Sequence, residues 1–494
     1  MPSSRLALQV SHLCPPLLAA ASLGSYLLAS RLSYRVGYPL DDAWIHQTYA
    51  RSLAFGAGWT FVPGQSSAGS TAPLWSGLLA GGHVLGIAPV VWTTFLGWML
   101  LWTLAVTAGW VFRRLCPEPM QPAWALWVGV LLVLEWHLVW AAGSGMETLL
   151  FALLVLLALG WLAGGKPDWL GFGLLVGLCV WVRPDGITLL GPAFAGLWLY
   201  ERNLAKRLKA AGLLGLGLAA LFLPYLAFNR ALAGDWLPNT YFAKQAEYAV
   251  LRQAPLWRRF LAEAGLPLVG VGMILLPGFA NFLAGAFRRR AWGALLGAAW
   301  LAGTVLLYAW RLPVTYQHGR YLIPAMPVFF VWGFAGLASW VLPAAPTMWK
   351  RALRRAWLLS AGLVLILFWF MGAQSFGRDV AIIESEMVDT AHWVANHCKP
   401  DALVAAHDIG ALGYFGNRPL LDLAGLISPD VIPFIRDEAR LAAYLDSQGA
   451  DYLVTFPEWY PALVARSQLI YASQAGFSPA AGGENMAVYT WRKP

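Results

Sequence analysis

Two adjacent carboxylates, Asp41 and Asp42, lie near the start of the stretch PLDDAWIHQTYARSLAFGAGWTFVPG at residues 39–64, directly after a long apolar segment. One aspartate could cap a helix, but a cap uses only one carboxylate. Like charges this close repel each other, so one of the two pKa values is expected to be raised. Such a carboxylate suits proton removal from an attacking hydroxyl group. The two together could also hold a hard divalent cation such as Mg²⁺, Mn²⁺ or Ca²⁺.

The residues after the pair predict a short amphipathic helix that ends at Gly56, with Asp41 placed as its N-cap. Asp42, His46 and Tyr49 fall at i, i+4 and i+7 of this helix, so they share one polar stripe. His46 and Tyr49 are therefore candidate binding residues, although His46 could instead pack against the acids.

Other candidate binding groups lie in short polar segments far along the chain: Glu147 in GSGMET, Arg183 and Asp185 in VRPDG, Lys244 in WLPNTYFAKQ, and His318, Arg320 and Tyr321 in YQHGRYLIP. A guanidinium fork suits a phosphate, so Arg320 is the first choice for holding one and Lys244 the second. Structural alternatives exist: a helix-dipole contact for Glu147, a local ion pair for Arg183 with Asp185, and a headgroup anchor for Arg320.

Composition shows what must position these groups. The 494 residues are 59% hydrophobic and only 12% charged, with 28 Trp, whereas soluble domains are about 25% charged. Apolar runs near the length of a membrane span recur along most of the chain. We therefore predict a polytopic α-helical membrane protein. The net charge of +9 lies in short connectors, as expected of cytoplasmic loops, and shows no single basic face for nucleic acid.

About eleven transmembrane helices are predicted, near 13–33, 90–112, 122–140, 147–164, 169–182, 187–200, 210–229, 266–286, 291–310, 324–342 and 356–373. Residues 73–88 are short for a span, and counting them as one would put most basic clusters outside. We expect them to lie in the interface or against other helices. The N-terminus is then cytoplasmic, and the first outer loop covers 34–89. The alternative of a cleaved signal peptide over 1–33 lacks a clear cleavage pattern.

The chain after residue 373 changes in character, so we predict two domains, a membrane domain at 1–373 and an extracytoplasmic domain at 374–494. The second has a helical pattern at 388–398 and strand patterns at 402–410, 451–456 and 486–494, which indicate a small α/β domain. Asp408 and Asp422 could bind sugar there but are more simply strand-end turn residues. No cysteine pair has metal-ligand spacing.

A resemblance adds to these predictions. Asp41–Asp42, Tyr49–Gly56, Phe61–Gly64 and Leu74–Trp75 match in order the acidic pair, helix, turn and Leu-Trp helix of the first outer loop of the GT-C superfamily. The segment most resembles that of the polyprenyl-phosphate-dependent arabinofuranosyltransferases, which are related to protein mannosyltransferases and lipid A aminoarabinose transferases. The chain departs from that group at residues 67–71, where Ser-Ala-Gly-Ser-Thr replaces Glu-Gly-Tyr-Thr, which puts a furanose donor in doubt.

The resemblance implies a plasma-membrane glycosyltransferase of the cell envelope. It would move a sugar from a polyprenyl-phosphate donor to a glycan, lipid or protein hydroxyl at the outer face. It also implies that the acidic pair acts at the acceptor hydroxyl, with inversion by single displacement. Of the pair, we expect Asp41 to be the base and Asp42 to be an orienting partner or metal ligand, with the reverse assignment as the alternative, because the protons of a coupled pair cannot be assigned to one residue. The rival interpretations are a transporter or flippase and a non-catalytic scaffold. Against transport, the charges cluster at one surface and no two halves repeat.

Overall fold

The computed structural model describes residues 2–116, 122–341 and 347–492, and its helices cover most of that length. The helices before the C-terminal segment are α1 (Pro2–Ser33), α2 (Asp42–Ala54), α3 (Pro73–Val84), α4 (Pro89–Leu115), α5 (Pro122–Leu134), α6 (Trp136–Gly143), α7 (Thr148–Ala163), α8 (Trp169–Val182), α9 (Leu190–Tyr200), α10 (Leu204–Ala233), α11 (Asn239–Glu247), α12 (Leu256–Gly265), α13 (Val271–Arg288), α14 (Trp292–Arg311), α15 (Tyr316–Gly319), α16 (Met326–Val341) and α17 (Met348–Ile382).

Within the described ranges, six helices are long and apolar enough to cross a membrane, or seven if the bent pair α5–α6 is one span. The bend is 59° and falls at Glu135, whose carboxylate accepts a hydrogen bond from the backbone N–H of Leu138 and so caps α6. Helices α7 and α8 are apolar but shorter. The chain is a multi-pass membrane protein, and the number of eleven spans remains a prediction.

The first outer loop folds back on the helices that flank it. Strands β1 (Thr60–Val62) and β2 (Gln65–Ser66) form a small hairpin after α2. Helix α3 begins at Pro73, a favoured first residue of a helix, and its 12 residues are fewer than the roughly 20 that a span needs. Trp75 of α3 is buried and donates to the carbonyl oxygen of Gly145 at 2.8 Å.

The C-terminal segment contains one five-stranded sheet made of β3 (Val404–Ala406), β4 (Leu420–Asp422), β5 (Tyr452–Thr455), β6 (Ser467–Ala472) and β7 (Ala487–Trp491). The strand order is β4-β3-β5-β7-β6, with β3 parallel to β4 and β5, and β7 antiparallel to β5 and β6. The sheet is flanked by α18 (Asp389–His397), α19 (Glu438–Gln448), α20 (Pro461–Ala465) and α21 (Phe477–Ala480). The predicted fold class, a helical membrane protein with a small C-terminal α/β region, is confirmed.

This C-terminal segment packs directly on the first outer loop. Buried residues of the loop such as Tyr38 and Trp44 share one hydrophobic cluster with Val404 and Leu412 of the segment. Helix α17 continues through a π-helical turn at Ile383–Val388 into α18, so the predicted domain boundary at residue 373 falls inside a helix. Two of the strands, β4 and β6, were not predicted; three of the six residues of β6 are exposed, and its burial does not alternate.

Candidate active site

A cavity of about 510 Å³ lies between the first outer loop, α11, α15 and the C-terminal sheet. Its polar lining residues are Asp41, Asp42, Lys244, Glu247, Tyr248, Tyr316, Gln317, Arg320, His407, Asp408 and Arg436. Leu40, Ile45, Met387, Phe456 and Trp459 are among the apolar residues of the wall. The cavity therefore brings together charged groups from four distant parts of the sequence.

Asp41 is buried, and its side chain does not cap α2. Its carboxylate instead accepts hydrogen bonds from the backbone N–H groups of Gly410, at 2.6 Å, and Ala411, at 2.8 Å. Burial raises the pKa of Asp41 to about 7, assisted by the neighbouring charge of Asp42 and opposed by the two N–H groups. The expected capping role is thus replaced by a contact with the C-terminal segment.

Asp42 faces two cations. Its Oδ2 atom lies 2.7 Å from Nη1 of Arg320 and 3.9 Å from Nζ of Lys244. Burial alone would raise the pKa of Asp42, but Arg320, Lys244 and His46 together hold it well below its usual range. The two adjacent aspartates therefore differ: Asp41 is poised to exchange a proton near neutral pH, and Asp42 stays ionised.

The turn before Arg320 has unusual backbone geometry. Gln317 and His318 have φ angles of 52° and 59°, in the left-handed region that non-glycine residues rarely adopt. Strained backbone of this kind clusters at sites where a side chain must be aimed. Arg320 is buried, and among the described residues its Nε atom has no hydrogen-bond partner, while Nη2 donates to the hydroxyl of Tyr321 at 3.1 Å.

Three of the predicted residues form a second polar layer away from the cavity lining. Glu147 lies 3.6 Å from Nε2 of His46 and 3.8 Å from Nη1 of Arg183, and all three side chains are buried. The Nδ1 atom of His46 is also hydrogen-bonded to the hydroxyl groups of Ser76, at 3.0 Å, and Ser70, at 3.1 Å. Burial lowers the pKa of His46 despite the nearby carboxylates.

Arg183 extends that layer to Asp185, 3.3 Å away, and to the hydroxyl of Tyr308 at 3.1 Å. The Tyr308 hydroxyl also bonds to Asp185, and its ring stacks on Tyr321 at 6.0 Å between centroids. Tyr321 contacts Arg320, and its ring centroid lies 5.4 Å from Nζ of Lys244, so this layer touches the cavity through those residues. It supports the site without lining it.

Two predicted binding residues are engaged elsewhere. The Tyr49 hydroxyl bonds to Ser67 Oγ at 2.6 Å and accepts from the backbone of Gly69 at 2.9 Å, so it fixes the hairpin loop. His318 Nε2 lies 2.7 Å from a carboxylate oxygen of Asp379. Neither side chain lines the cavity, and the polar stripe proposed for α2 is buried against protein because Ala43 to Ala50 are all buried.

The described residues do not fit a divalent cation at the acidic pair. They contain no group of three or more His, Cys, Asp or Glu residues placed to hold a metal. The position beside Asp42 is occupied by the cations Arg320 and Lys244. No step is therefore derived through a metal.

Three charged lining residues were not predicted: Glu247, His407 and Arg436. Glu247 lies three residues after Lys244 on α11, which places both on one face of that helix. His407 directly follows β3, at the carboxyl end of a parallel strand, where ligands of α/β sheets commonly bind. Those two signals could have identified them, but Arg436 has no comparable sequence signal.

Comparison with known proteins gives a fold but no established activity. Residues 379–489 match a family described as a domain of unknown function (DUF8728), which covers less than half of the chain. No curated protein matches the chain.

Several solved structures resemble this chain over most of its length. ArnT from Cupriavidus metallidurans in the apo state has a TM-score of 0.60 at 15% identity, over 96% of this chain and 97% of that one. ArnT bound to undecaprenyl phosphate has a TM-score of 0.56 at the same 15% identity and the same coverage. The oligosaccharyltransferase of Archaeoglobus fulgidus in the apo form has 0.57 at 11% identity, over 91% and 70%. The chain thus has the GT-C fold, which confirms the resemblance at that level.

Proposed function

We propose that this chain is a membrane glycosyltransferase that moves a sugar from a polyprenyl-phosphate donor to an acceptor hydroxyl. The observation that carries the proposal is one cavity in which a buried carboxyl poised near neutral pH, Asp41, adjoins a cationic pair, Arg320 and Lys244. Transfer from a lipid phosphate needs those two parts: a base for the nucleophile and cations for the departing phosphate.

The cationic side supports a phosphate-binding role. Arg320 and Lys244 are shared with a single carboxylate, Asp42, so the three groups carry one net positive charge. Arg320 also has its buried Nε atom without a partner among the described residues. Buried donors are normally satisfied in native proteins, so an unpartnered one at a cavity wall favours an anionic ligand. Structural relatives include ArnT bound to undecaprenyl phosphate and an archaeal oligosaccharyltransferase bound to dolichol-phosphate.

An apolar groove supports the lipid part of the donor. It has a volume of about 390 Å³ and lies between α9 and α14, where Gly191, Pro192, Leu296 and Gly303 line it. The groove shares four lining residues with a small cavity bounded by Tyr321: Thr188, Trp300, Thr304 and Leu307. This groove is the proposed binding place of the prenyl chain of the donor.

The proposed reaction balances without a further reactant. Asp41 takes the proton of the acceptor hydroxyl, and the acceptor oxygen forms a bond to the anomeric carbon. The bond from that carbon to the phosphate oxygen breaks, and polyprenyl phosphate leaves with the electron pair, held by Arg320 and Lys244. A base and a leaving group on opposite faces of the sugar give inversion. The acceptor would be a glycan, lipid or protein hydroxyl at the outer membrane surface.

The test is transfer by the purified protein in liposomes, with a panel of polyprenyl-phosphate sugars and labelled cell-envelope acceptors. Asp41→Asn should lower the transfer rate by about 10²–10⁴-fold, the usual contribution of a general base. Asp430→Asn, at an exposed carboxylate outside the cavity, is the matched control and should keep the wild-type rate. Movement of the lipid-linked sugar across the bilayer without a new glycosidic bond would instead establish a transporter.

A further inference from the structure

Asp408 lies where the C-terminal sheet meets the cavity. It follows β3, the central strand of the parallel trio β4-β3-β5. The chain passes from β3 to β4 on one side and then from β4 to β5 on the other side of β3. That point is the topological switch of the sheet, and ligands of open α/β sheets bind in the crevice outside it. The residues after β4 and β5, such as Ala424 and Trp459, line the same cavity. The carboxyl ends of all three parallel strands therefore face the proposed reaction.

The side chain of Asp408 differs from that of Asp422, the buried aspartate at this edge. Asp422, at the end of β4, has both oxygens satisfied, because it accepts from the backbone N–H groups of Ala424 and Ile427 at 2.7 Å each. Asp408 has a buried Oδ2 atom with no hydrogen-bond partner among the described residues. Asp422 thus completes a turn, whereas Asp408 lines the cavity and has a polar atom that the described protein does not satisfy.

The surroundings of Asp408 disfavour its ionised form. Its pKa is raised well above the usual range by burial and then by four carboxylates on three other parts of the chain. Those carboxylates are Asp41, Asp42, Glu247 and Asp422. The cavity also contains three cations, Lys244, Arg320 and Arg436, but Arg320 and Lys244 face Asp42, and Arg436 faces Glu247. His407 lies 3.9 Å from Glu247, and burial lowers its pKa to about 4, so it is neutral near pH 7. The cations are thus committed to other acids.

We propose that Asp408 is a neutral carboxyl group that donates a hydrogen bond to the acceptor molecule and positions its hydroxyl for Asp41. This inference rests on the proposed function. Asp408 and Asp41 are coupled through the backbone, because Gly410 and Ala411, which bind the Asp41 carboxylate, follow Asp408 by two and three residues. The C-terminal segment therefore supplies the acceptor side of the site and also holds the base.

A neutral carboxyl group can do what a carboxylate cannot. Its O–H donates to a lone pair of the acceptor, on an oxygen other than the attacking one, so the nucleophile keeps its own proton for Asp41. A buried carboxylic acid kept protonated by apolar surroundings and nearby acids has this donor capacity at neutral pH. No proton is gained or lost by Asp408 during transfer.

The first measurement does not depend on turnover. Infrared difference spectra of the full chain in nanodiscs, wild type minus Asp408→Asn, should show the C=O stretch of a protonated carboxylic acid at pH 7. The band should disappear when the pH is raised far enough to ionise Asp408. Loss of the same band in Asp41→Asn alone would assign it to Asp41, and the absence of a band in the Asp408 difference spectrum would overturn the proposal.

The second measurement separates a hydrogen-bond donor from a base and from a structural residue. Asp408→Asn keeps a donor of the same shape and cannot ionise, so its acceptor KM should match that of wild type at pH 6.5 and stay level where the wild-type value rises at alkaline pH. Asp408→Ala loses the donor, so its acceptor KM should be about 10-fold higher at every pH. The donor KM should be unchanged in both variants.

Binding of undecaprenyl phosphate shows whether each variant has folded, and the exposed Asp430→Asn is again the matched control. An inactive Asp408→Asn that still binds undecaprenyl phosphate would mean that Asp408 acts as a carboxylate, which overturns the proposal. An acceptor KM unchanged in Asp408→Ala would also overturn it. If wild type transfers no sugar from any polyprenyl phosphate, the proposed function fails and the acceptor role with it, while the infrared band still decides whether Asp408 is neutral.

Discussion

Replacing Gly410 with alanine places a methyl group against the carboxylate that we propose as the general base. A Cβ atom at this position would lie 2.1 Å from the backbone oxygen of Asp41 and 2.7 Å from its Oδ2. Carbon atoms do not approach that closely, so the two segments must separate by about 1 Å, a displacement that is typically enough to lower catalysis about 100-fold. The backbone oxygen of Asp41 also accepts from Trp44 in the first turn of α2, so the start of that helix cannot easily yield.

The same magnitude follows from the hydrogen bonds. The N–H groups of Gly410 and Ala411 donate to a charged acceptor, and each such bond contributes about 1.5–3 kcal/mol. If one of these bonds is disturbed and the other is kept, about 2–3 kcal/mol of the interaction energy that positions Asp41 is lost. That loss corresponds to a rate about 30- to 150-fold lower. We therefore expect Gly410→Ala to lower kcat about 100-fold.

The assay is the initial rate of sugar transfer in liposomes with donor and acceptor both saturating. Binding of undecaprenyl phosphate should be unchanged, because Arg320 and Lys244 contact Asp42 and not the Gly410 segment. Gly416→Ala is the matched control in the same segment, since its Cβ would meet only the side chain of Leu412, at 3.6 Å and beyond. A Gly410→Ala protein with the wild-type rate, or an equal loss in both variants, would refute the reasoning.

Four further results are expected. Arg320→Lys keeps the charge but loses the planar fork, so binding of undecaprenyl phosphate should weaken about 10-fold; unchanged binding in equilibrium titrations would contradict the phosphate role. Because burial raises the pKa of Asp41 to about 7, kcat/KM for the acceptor should fall about tenfold per pH unit below that value in a pH–rate profile. Burial also raises the folded-state pKa of Asp422 to about 6, above its unfolded value near 3.9. The stability of wild type relative to Asp422→Asn should thus be greatest below about pH 4 and fall by about 2–3 kcal/mol as the pH rises through 6, measured by denaturant unfolding in detergent. Gly336→Ala should lower the thermal unfolding midpoint, because its Cβ would lie 1.8 Å from a carbonyl oxygen of α13, whereas Gly212→Ala, with nothing within 4 Å, should not.

The sequence was sufficient to predict part of the lining of the cavity. Asp41, Asp42, Lys244 and Arg320 were all assigned to the outer side from the placement of basic loops, and all four line one cavity. The reason is physical: helices that cross a membrane return polar turns to the same surface, so charges in outer turns converge. The division of roles within the acidic pair could not be predicted, because it depends on which backbone and which cations each carboxylate meets.

The errors have a common cause. Tyr49 and His318 are polar residues in the predicted outer region, but their partners, Ser67 and Asp379, satisfy them within the protein. The contribution of His407 depends on how the C-terminal sheet docks on the first loop, across more than three hundred residues of sequence. Local periodicity identifies which face of an element is polar, but not which polar group is satisfied by protein and which is left for a ligand.

The two adjacent acids at the start of α2 contact different parts of the molecule, which explains why two carboxylates are present. Asp41 holds the C-terminal segment through Gly410 and Ala411, and Asp42 holds Arg320 and Lys244. A donor phosphate that binds the two cations adds negative charge beside Asp41, whose pKa the charge of Asp42 already raises. A further negative charge raises it again, so occupation of the donor side shifts the protonation equilibrium of Asp41. We infer that the adjacency of the two carboxylates couples occupation of the donor side to the protonation state of the proposed base.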